Sequence, residues 1–148
     1  MKVSGALNFF SNSVKAGLHY LVECEGYSKD LLTTAWFIGM INKWFDLMSS
    51  RHPIMALSNV NESCYKQAIL HLEQVIRVFH EIRIGVNAKW KPVQTGVILS
   101  TTSILNLQSN YLAKGHRFLL TSRFTQDCLE NLFSSIRLKN PVPTALDF

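Results

Sequence analysis

The sequence predicts a mainly α-helical protein, a helical bundle of about five helices, and three observations support this prediction. Apolar residues recur at steps of three and four in five separate segments, which is typical of amphipathic helices. Glycine, proline or polar runs lie between these segments and are expected to separate the helices. Apolar residue types make up 47% of the 148 residues, enough to form a hydrophobic core.

The first two helices are predicted on either side of a glycine. The first apolar stripe runs through residues 3–21, and Gly26 follows it as a stop signal. Ser28 is expected to begin the second helix, with Asp30 in its first turn, where a carboxylate meets the positive end of the helix dipole. The polar segment 49–61 is predicted to be a loop. The apolar stripe of the second helix consists of Ala35, Ile38, Ile41, Phe45 and Met48.

The third helix has the clearest pattern, and the fourth allows two interpretations. Gly85 is expected to end the third helix, and Pro92 lies in a connector because the residue before a proline disfavours the helical conformation. The segment 97–112 has helical spacing, although its first six residues also suit a strand; its length favours a helix. The stripe of the third helix consists of Ala68, Leu72, Val75, Phe79 and Ile82.

The last helix is predicted to begin near Phe124 or Thr125. Thr125 is a suitable N-cap, and Asp127 then lies in the first turn. Pro141 and Pro143 are expected to end the helix. Its polar face consists of Asp127, Glu130, Ser134 and Arg137.

Charge and residue usage exclude several classes of protein. The net charge of +5 and the pI of about 9.3 are compatible with a polyanionic partner and equally with an ordinary basic surface. No run of about 18 apolar residues is present, so no membrane span is predicted. The N-terminus lacks a signal-peptide core, which favours an intracellular protein. Three scattered cysteines and five histidines without ligand spacing predict neither a zinc site nor a disulfide framework.

Two carboxylates on the last helix form the candidate chemical site. Asp127 and Glu130 are three residues apart and therefore share one helix face. Neighbouring carboxylates repel each other, and a divalent cation relieves that repulsion, as in enzymes that use two metal ions for phosphoryl transfer. Alternatively, the two residues stabilise the helix start from a solvated face. If a metal ion does bind, one helix cannot supply all of its ligands.

Residues 119–137 carry a resemblance to a known family. They read LLTSRFTQDCLENLFSSIR, and residues 140–146 read NPVPTAL. This pattern resembles the final catalytic segment of P-element-type DNA transposases and their THAP-domain relatives. The resemblance implies an RNase H-like core with a DDE-type acidic triad, interrupted by a helical GTP-binding insertion domain. It assigns residues 1–113 to part of that insertion and residues 114–148 to the C-terminal segment of the catalytic domain.

The resemblance also implies roles for single residues at the two ends of the chain. Glu130 matches the third acid of the triad, a catalytic residue that helps to hold Mg2+. Asp127 matches a position that contacts the base of GTP, and its two oxygens suit the N1–H and amino group of guanine. Lys2, Val3 and Ser11 match nucleotide-contacting positions. In this match Lys2 pairs with a phosphate, and Val3 packs on the base or the sugar.

A Phe-Asp pair in the second predicted helix resembles another part of the GTP site. Phe45 is expected to stack on the nucleotide, and Asp46 to accept hydrogen bonds from it. Ser49 departs from the family pattern, which more often has asparagine there. Phe45 also lies on the apolar stripe of its own helix, so the alternative of ordinary core packing stays open.

Two functions of different classes follow as hypotheses. In the first, the chain is a piece of a P-element-like transposase that contributes GTP binding and the last acidic metal ligand for cleavage and strand transfer of DNA at transposon ends. The other catalytic aspartates lie upstream in such enzymes, so this chain alone is expected to be inactive and to form oligomers only with upstream regions. The resemblance also implies a nuclear protein. In the second, the chain is a host-retained, non-catalytic helical module that binds a protein or nucleic acid.

Overall fold

The computed structural model describes residues 3–54 and 57–139 and confirms the mainly α-helical prediction. Two short antiparallel strands and a 3-10 turn, Thr121–Phe124, accompany the helices. The strands are β1 (Leu57–Ser58) and β2 (Phe118–Leu119). The helices in the described residues are α1 (Val3–Phe9), α2 (Asn12–Glu23), α3 (Asp30–Met48), α4 (Glu62–Glu81), α5 (Pro92–Ala113) and α6 (Asp127–Lys139).

The first predicted helix is divided in two at Ser11. The backbone of Ser11 is extended, with φ −104° and ψ 157°, and its hydroxyl oxygen accepts a hydrogen bond from the amide of Val14 at 3.4 Å. A serine in this conformation satisfies one of the unpaired amides at the start of a new helix. The apolar stripe is therefore continuous in sequence but is carried by α1 and α2.

Helices α2 and α3 form an antiparallel hairpin with one close approach. Gly26 has a φ of +70°, a conformation that favours glycine, in the segment that joins them. Away from this turn, the side chain of Lys15 in α2 lies against Gly39 in α3. A Cβ atom added to Gly39 would lie 3.0 Å from Lys15 Cδ. This contact places the start of α2 beside the second half of α3.

The core lies between α3, α4 and α5. The buried residues of α4 are the first four members of its predicted stripe, whereas Ile82 is half-buried and extended just beyond the helix. One cluster of buried residues consists of Leu57, Ala68, Leu72, Ile104 and Leu119. A second consists of Met40, Val75, Phe79 and Val97.

Helix α5 confirms the helical interpretation of segment 97–112 and starts earlier than predicted, at Pro92. Proline suits a first helical position because its missing N–H would be unpaired there. Three buried polar side chains of α5 are hydrogen-bonded across the core. Thr101 accepts a hydrogen bond from Trp44 at 2.9 Å, and Gln108 accepts one from Tyr65 at 2.7 Å. The third is Gln94, whose side-chain amide donates to backbone carbonyls at the C-terminal end of α4.

The segment between α5 and α6 is tied to the C-terminal end of α3. Leu119 pairs with Leu57 in the two-stranded sheet, and both side chains are buried. Thr121 is fully buried; its hydroxyl donates to the carbonyl of Leu47 at 2.6 Å and accepts from the amide of Ser50 at 2.9 Å. These bonds fix where the chain enters α6.

Helix α6 begins at Asp127, so the predicted start at Phe124 or Thr125 is wrong. Thr125 is not an N-cap of the predicted kind, because residues 121–124 form a 3-10 turn. The hydroxyl of Thr125 donates to the carbonyl of Ser122 in that turn at 2.8 Å. Three large apolar side chains in the described part of α6 are exposed: Leu132, Phe133 and Leu138.

His71 makes the stability of this core dependent on pH. Burial lowers the pKa of His71, a hydrogen bond to the carbonyl of Met40 at 3.1 Å opposes that shift, and the charge of Lys43 adds to it. The unfolded chain therefore binds the proton more readily than the folded chain, and the free energy of unfolding is expected to fall as pH drops through the ordinary value of 6.5. Urea unfolding at a series of pH values measures this slope.

The matched control for His71 is the exposed His116. The variant His71→Gln keeps a donor for the Met40 carbonyl but cannot take up a proton, so it should flatten the slope. His116→Gln should leave the slope as it is. Equal slopes in the wild type and His71→Gln would contradict the assignment.

Candidate functional site

The C-terminal end of α3, residues 45–50 (the α3 end), is where the predicted site segments approach one another. The buried hydroxyl of Thr121 ties the turn that leads into α6 to this end. Ser11 lies one helical turn before Lys15, and Lys15 contacts Gly39. In an antiparallel hairpin this places Ser11 about one turn further along α3 than Gly39, near its C-terminal part.

The N-terminal site residues are only partly described. Lys2 lies outside the described residues. Val3 is the first residue of α1, and its side chain lies outside the description. Ser11 is half-buried, and its oxygen caps α2 through the bond from Val14. Capping uses a lone pair, so the hydroxyl hydrogen remains suited to donating to an anionic ligand.

Phe45 and Asp46 present a ring and a carboxylate to solvent at the α3 end. Phe45 is 37% exposed, which the position of this residue on the apolar stripe did not predict. Asp46 is exposed, and its carboxylate accepts a hydrogen bond from the amide of Asn42 at 3.3 Å. Ser49 caps α3 by donating to the carbonyl of Phe45 at 2.6 Å. The ring and the carboxylate are therefore both accessible to a ligand.

A cleft of about 490 Å³ adjoins the α3 end, a size typical of small-molecule sites. Asp46 and Lys43 contribute charged groups to a mainly apolar lining. The remaining lining residues come from α3, the loops on either side of β1, both strands and the start of α4: Leu47, Pro53, Ile54, Ser58, Val60, Asn61, Cys64, Tyr65, Gln67, Ala68 and Phe118.

The carboxylate pair lies in the first turn of α6. Glu130 is exposed, and its Oε1 accepts a hydrogen bond from the side-chain amide of Gln126 at 2.7 Å. The side chain of Asp127 lies outside the described part of the chain. Among the described residues, no group of three or more histidine, cysteine, aspartate or glutamate side chains surrounds a common point. Because Mg2+ needs octahedral oxygen ligation, the described residues do not by themselves fit a magnesium site.

The structure describes two of the three basic residues Arg123, Arg137 and Lys139 near the C-terminus in full. Arg123 and Arg137 are both exposed, as a phosphate contact requires, whereas the side chain of Lys139 is outside the description.

Sequence analysis missed Thr121, which positions the turn that leads into α6. No local pattern indicates its role, because its partners lie more than 70 residues earlier in the chain.

Comparisons with known proteins relate this chain to transposases. Residues 1–61 match the model of a family described as TNP-like, GTP-binding insertion domain. The chain is 30% identical over 154 residues to the Transposable element P transposase of Drosophila melanogaster. That match covers 99% of this chain and 20% of the relative, so the chain spans about a fifth of that protein.

A solved structure has the same fold. The chain superposes with a TM-score of 0.76 on a chain of the Drosophila P element transposase strand transfer complex. The two are 24% identical, and the match covers 99% of this chain and 34% of the other. No helix in the described residues is both long and apolar enough to cross a membrane.

Proposed function

We propose, from the premise that this chain is a homologue of the P-element-type transposases, that it supplies part of a GTP site and one acidic residue of a DNA-cleaving site in a larger enzyme. The observation that supports the proposal best is the convergence at the α3 end. The exposed Phe45 and Asp46 lie there, the start of α2 runs beside the same helix, and Thr121 holds the entry to α6 against it.

The residues at the α3 end suit a guanine nucleotide. Asp46 accepts hydrogen bonds from the nucleotide. Asp127 offers two acceptor oxygens that match the adjacent N1–H and amino group of guanine, whereas adenine presents a different set of donors. The exposed ring of Phe45 provides a face for stacking on the base. Lys2 supplies a cation for the phosphates, Val3 an apolar contact and Ser11 a hydroxyl. Residues 1–113 form the insertion domain in this proposal.

The C-terminal segment, residues 114–148, belongs to an RNase H-like catalytic domain in this proposal. Asp127 reaches the nucleotide, and Glu130 projects three residues further along the same helix. Bound Mg2+ would supply Lewis-acid chemistry for DNA cleavage and strand transfer, with Glu130 as one ligand and the others from elsewhere in the enzyme. The partner is DNA, and the place of action is the nucleus.

Titration with a fluorescent GTP analogue tests the nucleotide site. Asp46→Asn keeps the size of the side chain but replaces an acceptor oxygen with a donor, so affinity is expected to fall about tenfold or more. Asp30→Asn is the matched control, because Asp30 is an exposed aspartate at the opposite end of the same helix. Asp127→Asn should weaken binding as Asp46→Asn does.

Two outcomes would remove the GTP proposal. One is binding that Asp46→Asn and Asp30→Asn change equally. The other is competition by ATP as strong as that by GTP. The first result would favour the alternative of a non-catalytic helical module, and the second would mean a nucleotide site that does not select guanine.

A further inference from the structure

The segment between α4 and α5, residues 82–91, presents an aromatic ring and several cations at the end of the bundle away from the α3 end. Helices α3 and α4 are antiparallel, because His71 bonds to Met40 whereas Phe79, further along α4, contacts the earlier Phe37. The start of α4 therefore lies near the α3 end. Its last residues lie about 30 Å away, the length of a 20-residue helix.

Trp90 is exposed but held in one position. Its side chain is 52% accessible to solvent. Its indole N–H donates to the hydroxyl of Thr95 at 2.7 Å, and its ring lies 6.0 Å from the ring of His80. An aromatic ring that is fixed at one edge and open on a face loses little conformational entropy when a planar group stacks on it.

Both ends of this segment are pinned by one buried side chain. The amide of Gln94 donates to the carbonyls of Phe79 and Ile82, each at 3.0 Å, and its oxygen accepts from the amide of Lys91 at 2.9 Å. Between these ends Ala88 has a φ of +46°, which is uncommon for a residue with a Cβ. The segment is thus a defined surface, although it contains no helix or strand.

The charges around Trp90 favour an anionic partner. A groove of about 480 Å³ is lined by Trp90, Arg83, His80 and the carboxylate-bearing Glu81, among others. Lys89 and Lys91 flank Trp90 in sequence and are exposed. Helix α5 begins directly after them and has no acidic residue in its first turn, so the positive end of its dipole adds to the field.

We propose that this surface, formed by Arg83, Lys89, Trp90 and Lys91, binds single-stranded DNA. An unpaired base stacks on Trp90, Arg83 contacts a phosphate from within the groove, and the two lysines attract the flanking backbone. Single strands are recognised by this combination of an aromatic platform and cations, because every base has a face to stack and every phosphate a charge. Glu81 accepts from amino groups of a base in the groove. The choice of DNA rests on the proposed function, whereas the site itself is separate from the GTP site.

Fluorescence anisotropy with a labelled oligothymidine and the full chain tests the surface. Trp90→Ala is expected to weaken binding about tenfold through loss of stacking, and Trp90→Phe should retain most of it. Trp36→Ala is the matched control, since Trp36 is 47% exposed on α3 and should not matter. Circular dichroism of each variant separates loss of binding from loss of fold.

Salt dependence tests the cations independently. Lys89→Ala with Lys91→Ala should lower the slope of log affinity against log salt by about 1.4, as two lost phosphate contacts on a single strand predict. Lys29→Ala with Lys114→Ala removes the same charge from other exposed positions and should leave the slope closer to the wild type.

Three results would overturn the proposal: equal affinity of the Trp90→Ala and Trp36→Ala variants, tighter binding of duplex DNA, or tighter binding of oligouridine. Since the GTP titration depends on Asp46 at the other end of the bundle, its failure would leave this test unaffected.

Discussion

Replacing Leu72 with alanine is expected to lower the free energy of unfolding by about 3–4 kcal/mol. Leu72 is fully buried in the cluster that joins α4, α5 and the two strands. The substitution removes apolar contacts and leaves a cavity that the packed neighbours can only partly fill. Urea unfolding followed by circular dichroism measures the change.

Leu70 provides the control for this prediction on the same helix. It is 59% exposed, so Leu70→Ala removes the same atoms from a surface position and should change stability by less than about 0.5 kcal/mol. Similar losses for the two variants would mean that α4 does not bury the face described here.

Replacing Thr121 with valine is expected to lower the free energy of unfolding by about 2–3 kcal/mol, because it leaves a half-buried carbonyl and a buried amide without their partner. The valine has nearly the same shape, so little packing is lost. The carbonyl is that of Leu47 and the amide that of Ser50, both at the α3 end. Amide hydrogen exchange at Ser50 is expected to accelerate more than exchange in the middle of α4.

The variant Thr121→Val also tests whether the position of α6 affects GTP binding. If Asp127 reaches a nucleotide at the α3 end, loosening the turn before α6 should weaken GTP binding even though Thr121 touches no ligand. Thr102→Val, on the exposed side of α5, is the control and should leave both stability and binding unchanged. Unchanged GTP affinity in a folded Thr121→Val protein would argue that α6 is not positioned through this turn.

The resemblance found in residues 119–137 was confirmed by homology along almost the entire chain. The match of residues 1–61 to a GTP-binding insertion family agrees with the nucleotide assignment at the level of the domain. The individual contacts of Lys2, Val3, Ser11, Phe45, Asp46, Asp127 and Glu130 stay predictions. A motif identifies which residues of this chain match positions of the family, whereas a contact depends on the distance between a residue and a ligand.

Sequence analysis was accurate for the apolar face of α4. The first four residues of the predicted α4 stripe became its buried face, whereas the helix ends at Glu81, before the stop expected at Gly85. It was wrong about helix starts at Ser11 and at Thr125. The hydroxyl of Ser11 caps α2, whereas the hydroxyl of Thr125 bonds within the 3-10 turn instead of capping α6. Trp90 lies in the predicted connector just before Pro92, and its position between Lys89 and Lys91 is the sequence signal that accompanies the proposed DNA-binding surface.

By itself, the sequence determined that this protein is mainly helical, which residues α4 buries, and that its C-terminal motif resembles those of P-element-type transposases. Apolar periodicity and capping act within about one helical turn, and a motif is a property of sequence alone. Only the tertiary structure decided that Thr121 would bond to Leu47 and Ser50, and that Gln94 would bond to the carbonyl of Phe79 at the opposite end of the bundle. These bonds depend on how helices pack against one another, since each joins groups that a local pattern treats as independent.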